Sequence, residues 1–110
     1  MLTHVDHSMQ VMKDETFGPL LPIMQVEDEP HAIQLANDSE LGLSGSVWSK
    51  DIHRAERIAK QMDVGSVNIN DTISHFAIPR LPFGGIITSG FGRTHGIKDL
   101  LQFTLTRSFV

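Results

Sequence analysis

Asp51-Ile-His-Arg-Ala-Glu-Arg-Ile-Ala-Lys-Gln-Met-Asp-Val-Gly-Ser-Val-Asn-Ile-Asn70 holds a helix and a strand in succession, and its reading decides the fold. Asp51 is a helix cap, and Ile52, Ala55, Ile58, Ala59 and Met62 recur at the three- and four-residue spacing of one helical face. Arg54, Arg57, Lys60 and Gln61 lie off that stripe, with Glu56 four residues before Lys60 as an ion pair along the surface. Gly65 supplies the stop, and Ser66–Asn70 follows as a strand.

Working outward, Leu41–Ser49 begins rich in Gly and Ser and turns strand-like at its end. Further upstream, Asp28 caps a second helix of about ten residues whose first turn holds Glu29 and Pro30, with Ala32, Leu35 and Ala36 on one face. Before it, the apolar run Leu20–Val26 has strand length, with Pro22 placing it at an edge. The expected architecture is α/β: a small parallel β-α-β-α-β sheet with right-handed crossovers, then a long Gly/Pro loop over 71–93. A short helix near His95–Phe103, with Ile97, Leu100 and Leu101 inward, leads into a terminal strand over 104–110. Three strands and their helices make a thin core, so the sheet faces and edges call for a second copy or for further protein.

Composition narrows the function. The 110 residues carry 9 Lys+Arg against 13 Asp+Glu, a formal charge of −4, with no basic cluster, which argues against nucleic acid or an anionic membrane as partner. There is no Cys, hence no disulfide, zinc–thiolate site or thiol nucleophile among these residues. No apolar run reaches the roughly 20 residues of a membrane span, and the amino end lacks the pattern of a secretory signal; the expected location is cytoplasmic. The six His are scattered. His4 and His7 alone have a spacing that a metal could use, and with no further ligands specified no metal site is expected.

Glu15-Thr-Phe-Gly-Pro19, Asn68-Ile-Asn-Asp71, Pro82-Phe-Gly-Gly85 and Ser89-Gly-Phe-Gly-Arg93 stand in the order and spacing of the carboxyl-terminal part of aldehyde dehydrogenases. The chain resembles that family from about Thr3 to Val110. Asn70-Asp-Thr-Ile-Ser-His75 followed by Leu81-Pro-Phe-Gly-Gly85 is similar to the class 3 branch, which takes medium-chain aliphatic and aromatic aldehydes with NAD or NADP. The resemblance implies residues 1–103 as a segment of the catalytic domain and 104–110 as an oligomerisation strand. It also implies a reaction through a Cys thiohemiacetal, with the Cys and the Rossmann-like cofactor domain outside these residues. On this reading the chain alone is inactive and holds no tightly bound cofactor.

By the same resemblance Glu15 accepts hydrogen bonds from the nicotinamide-ribose hydroxyls, a task suited to a carboxylate with two acceptor oxygens. Phe17 lies beside the nicotinamide. Phe83 lines the aldehyde channel, and the Ser74–Pro79 loop, with His75 and Phe76, shapes substrate choice. The bland alternatives are a solvated acid at Glu15, a core residue at Phe17, a core ring at Phe83 and a structural hydrogen-bonder at His75. Asn68 and Asn70 read as scaffold that satisfies loop backbone. Gly84, Gly85, Gly90 and Gly92 read as turn or close-approach positions rather than a phosphate cradle, and Ser89 has no paired base. Two departures stand out: Ile87 occupies a place where many relatives have Lys and class 3 members Gly, and Arg107 replaces a common Lys. Two other functions fit the composition, namely a non-enzymatic self-associating module and a small stand-alone nucleotide binder using Glu15.

Overall fold

A computed structural model describes residues 1–110. The chain forms two compact units, Met1–Glu40 and Leu41–Val110. In the first, a 3-10 turn at Gln10–Met12 precedes α1 (Glu29–Asn37). The helix starts as its sequence requires: the Asp28 carboxylate accepts from the His31 backbone N–H at 2.8 Å, Pro30 sits in the first turn and Glu29 meets the positive end of the dipole. Ala32, Ile33 and Leu35 are half-buried and Ala36 is exposed.

The expected strand over Leu20–Val26 does not form. Only Leu2 and Pro22 make a parallel bridge, with the Leu2 N–H donating to Leu21 and the Ile23 N–H to Leu2, each at 2.8 Å. Pro19 and Pro22 remove two donors, and this unit provides no neighbouring strand to extend the ladder.

The second unit contains β1 (Leu41–Gly42), β2 (Ser44–Val47), α2 (Ile52–Ala59), β3 (Ser66–Ile69), a 3-10 turn at Ser74–Ala77, β4 (Ile86–Ile87) and α3 (Gly96–Leu101). β2 and β3 pair in parallel, from Ser44 opposite Ser66 to Val47 opposite Ile69, with α2 as the crossover. The half of the β-α-β-α-β pattern read from residues 41–70 is therefore present. β1 pairs antiparallel with β4, Leu41 opposite Ile87. The result is two two-stranded sheets rather than one three-stranded parallel sheet.

α2 packs on β2 and β3. Asp51 caps it, accepting from the Arg54 N–H at 3.0 Å, and Ala55 on the helix and Val47 on β2 are buried. These are the only buried apolar side chains, so the core is thinner than the sequence suggested. Glu56 approaches His53 at 3.9 Å rather than pairing with Lys60. The helix ends at Ala59, so Gly65 is not its stop. Gly65 serves close approach instead: a Cβ there would lie 1.8 Å from the Gly84 carbonyl oxygen.

α3 forms within the expected stretch, but Ile97, Leu100 and Leu101 are exposed rather than inward. The terminal strand is absent: Thr104 closes the helix by donating its N–H to Leu101 at 3.1 Å, and residues 105–110 make no ladder. A strand here needs a neighbouring edge to pair with, and none lies beside it in this chain.

Candidate functional site

The sequence-predicted residues fall into the two units. In the first, Glu15 and Phe17 follow the Gln10–Met12 turn. The chain there is tightly coiled, with the Gly18 N–H donating to Thr16 at 3.0 Å and the Leu20 N–H to Gly18 at 2.8 Å. This coil leaves Phe17 95% exposed, which removes the core-residue alternative for that ring within this chain. The Glu15 carboxylate is exposed and takes no part in a hydrogen bond or ion pair with the chain, which leaves both oxygens open as acceptors. Elsewhere in this unit His7 pairs with Asp38 at 2.8 Å, beside a concavity of about 600 Å³ that Lys13, Asp14 and Glu40 also line. His4 meets Thr3 instead, and no cluster of three metal-ligating side chains exists.

In the second unit the site is built from the end of β3. Asn70 leaves the strand with φ 54°, a left-handed conformation Asn tolerates, and its side-chain amide accepts from the Ser49 N–H and donates to the Ser49 carbonyl, both at 2.8 Å. Asp71 then organises the next turn. Its carboxylate accepts from the Ser74 hydroxyl at 2.6 Å and from the Ser74 and Ile73 N–H groups at 2.8 Å. The Ser74 hydroxyl first, then these backbone donors, hold the Asp71 carboxyl down at about 2. The 3-10 turn so anchored carries His75 and Phe76.

His75 reaches back to Asn68, the one buried polar residue. Its Nδ1 lies 2.7 Å from the amide nitrogen and 3.1 Å from the amide oxygen, so either tautomer finds a partner there. Asn68 also donates to the Thr72 carbonyl at 3.0 Å. On its other side His75 tilts onto Phe83 at 5.4 Å between ring centres, while Phe76 meets Phe83 edge-on at 5.2 Å. His95 completes the cluster, 5.7 Å from Phe76 and 6.3 Å from Phe83. The three residues assigned to the aldehyde channel are thus brought together in one aromatic cluster.

Phe83 is held by its backbone: it exchanges two 2.8 Å hydrogen bonds with Thr94, closing the Gly-rich loop like a hairpin. Within that loop Arg93 donates to the Gly85 carbonyl at 2.8 Å and the Ser89 hydroxyl accepts from the Gly42 N–H at 2.8 Å. Ser89 is therefore a clasp, not a nucleophile. Sequence reasoning missed His95, Asp71 and Arg93 as members of this constellation. The Asp71-x-x-Ser74 spacing was a readable capping signal, whereas nothing local could have brought His95 to Phe76.

A parallel β-α-β unit whose strand end and Gly-rich hairpin together carry an aromatic cluster marks a piece of an α/β domain, a class in which ligands commonly sit at the carboxyl ends of the parallel strands. Residues 1–109 match the Aldehyde dehydrogenase family, and the chain belongs to that family. It is 56% identical over 104 residues to the 4,4'-diapolycopene aldehyde oxidase of Methylomonas, covering 94% of this chain and 20% of that protein. It is 43% identical over 107 residues to the vanillin dehydrogenase of Corynebacterium glutamicum, covering 97% and 22%. Among solved structures, an aldehyde dehydrogenase of Mycobacterium tuberculosis complexed with NAD+ superposes with TM-score 0.86 at 39% identity, over 94% of this chain and 21% of that one. The betaine aldehyde dehydrogenase of Staphylococcus aureus with NAD+ gives 0.84 at 43%, over 92% and 20%. The chain spans about a fifth of the length of these relatives.

Proposed function

We propose that these residues work as the carboxyl-terminal segment of the catalytic domain of an NAD(P)-dependent aldehyde dehydrogenase, of the class 3-like branch, oxidising apolar aliphatic or aromatic aldehydes to carboxylic acids. The observation that carries this reading is Glu15: an unpaired, exposed carboxylate beside a fully exposed Phe17. In an enzyme of this kind the bound dinucleotide accepts the hydride. Glu15 holds and orients the nicotinamide ribose through two charge-assisted hydrogen bonds. Phe17 offers an apolar face to the ring. Phe83, braced by Phe76 and His75, walls the aldehyde passage and excludes water from it.

The nucleophile is a Cys supplied by other residues, since none stands here, and these 110 residues by themselves do not turn aldehyde over. Residues 104–110 serve as a strand added to a neighbouring subunit's edge, within a cytoplasmic homo-oligomer. Glu15→Gln in the enzyme that contains this segment is expected to lower turnover or weaken cofactor use by roughly tenfold, the scale of one charge-assisted hydrogen bond. Unchanged steady-state kinetics would overturn the assignment.

A second reading, a self-associating module without enzyme activity, rests on the exposed apolar surface, with Phe91 and Leu105 about as exposed as in an unfolded chain.

A further inference from the structure

Between Asn68 on β3 and Phe83 on the Gly-rich hairpin stands one side chain, His75. Its Nδ1 is tied to the buried Asn68 amide, and its ring lies against Phe83 at an interplanar angle of 32°. Its Nε2 is buried and has no hydrogen-bond partner, so the ring's polar attachment runs through Asn68 alone. Asn68 is itself fixed twice, by the β3 ladder and by donation to the Thr72 carbonyl. Phe83 is held at its backbone by Thr94, and its ring meets those of His75, Phe76 and His95. Of these three rings His75 is the one pinned to a buried side chain, so its position bears on how the Phe83 ring lies.

We infer that His75, anchored by Asn68, is a positioning residue that sets the Phe83 ring and thereby the width of the aldehyde passage. The inference rests on the reading of Phe83 as a wall of that passage. It goes further in assigning size selectivity to a polar tie outside the passage. A bulky aromatic aldehyde needs the ring in one orientation, whereas a two-carbon aldehyde passes whichever way it lies.

The test is steady-state kinetics of the dehydrogenase containing this segment, with acetaldehyde and 2-naphthaldehyde as probes. His75→Ala is expected to raise KM for naphthaldehyde roughly three- to tenfold, the scale of one aromatic pair, with kcat and the acetaldehyde KM within about twofold of their starting values. Asn68→Ala should give the same change, and the double variant no further one, since both act through one linkage. His75→Phe keeps the ring and loses the anchor; it decides the matter where an Ala variant does not fold, and is expected to raise the naphthaldehyde KM about two- to threefold.

An unchanged ratio of the two KM values in His75→Phe and His75→Ala overturns the inference, as do additive effects of Asn68→Ala and His75→Ala. Phe83→Ala separates the two layers of argument. If it leaves that ratio unchanged, the reading of Phe83 as a wall fails and the inference falls with it. If it shifts the ratio and the His75 variants do not, the passage stands and the positioning role alone is gone.

Discussion

Ile87 has φ 56°, a left-handed backbone conformation that a β-branched side chain occupies at a cost of roughly 1–2 kcal/mol. Its side chain is half exposed, so little packing offsets that strain. Ile87 is one of the departures noted in the sequence, and its backbone conformation is one that Gly adopts freely. Replacing Ile87 by Gly relieves the strain, against roughly 0.5–1 kcal/mol of added freedom in the unfolded chain. The expected outcome is a gain of up to about 1 kcal/mol, read as a higher denaturant midpoint at unchanged slope. A lower midpoint would show that the Leu41–Ile87 pairing contributes more than the strain removes. Asn70 adopts a similar φ without the same conflict, because its short side chain both tolerates the conformation and joins β3 to Ser49.

Just before β3, Gly65 lies close against the Gly-rich hairpin. Any Cβ at Gly65 would stand 1.8 Å from the Gly84 oxygen, a clash with backbone that no side-chain rotation relieves. Gly65→Ala is therefore expected to cost more than about 2 kcal/mol and to loosen the Phe83 hairpin, visible as a lower melting temperature and faster amide exchange at Thr94. The 3-10 turn carrying His75 depends instead on pH. The Asp71 carboxyl is depressed in the folded state, so its contribution is fully present above the ordinary carboxylate range near pH 4 and is lost as pH falls through about 2. The resonances of His75 and Phe76 should shift across that window. In Asp71→Asn the same acid-dependent change should be missing; a persistent one would assign it to another carboxylate.

The whole molecule has too little buried apolar surface for its size. Val47 and Ala55 are the buried apolar side chains, and the other large apolar residues are half-buried or exposed. Phe17, Phe91, Phe103, Leu105 and Phe109 all lie open to solvent. Without covering protein, the purified chain is expected to self-associate in light scattering, and Leu105→Glu with Phe109→Glu to reduce that association. A stable monomer at high concentration would contradict the expectation.

Wherever structure is set by neighbours along the chain, it was legible in the residues. Asp28 and Asp51 mark both helix starts, the stripe ending at Met62 marks α2, and the β2-α2-β3 unit follows from alternating strand and helix signals. Asn68 and Asn70 could be read as scaffold because buried amides at a strand end must find partners. Residues 20–26 and 104–110 form no ladder within this chain, because strand-forming residues state a capacity to pair and not the presence of a partner. The aromatic cluster joins Phe83 to residues from two other segments, and the role of Gly65 depends on Gly84, nineteen positions away by their numbering. Contacts between groups so far apart depend on where the whole backbone runs, and that only the tertiary structure decides.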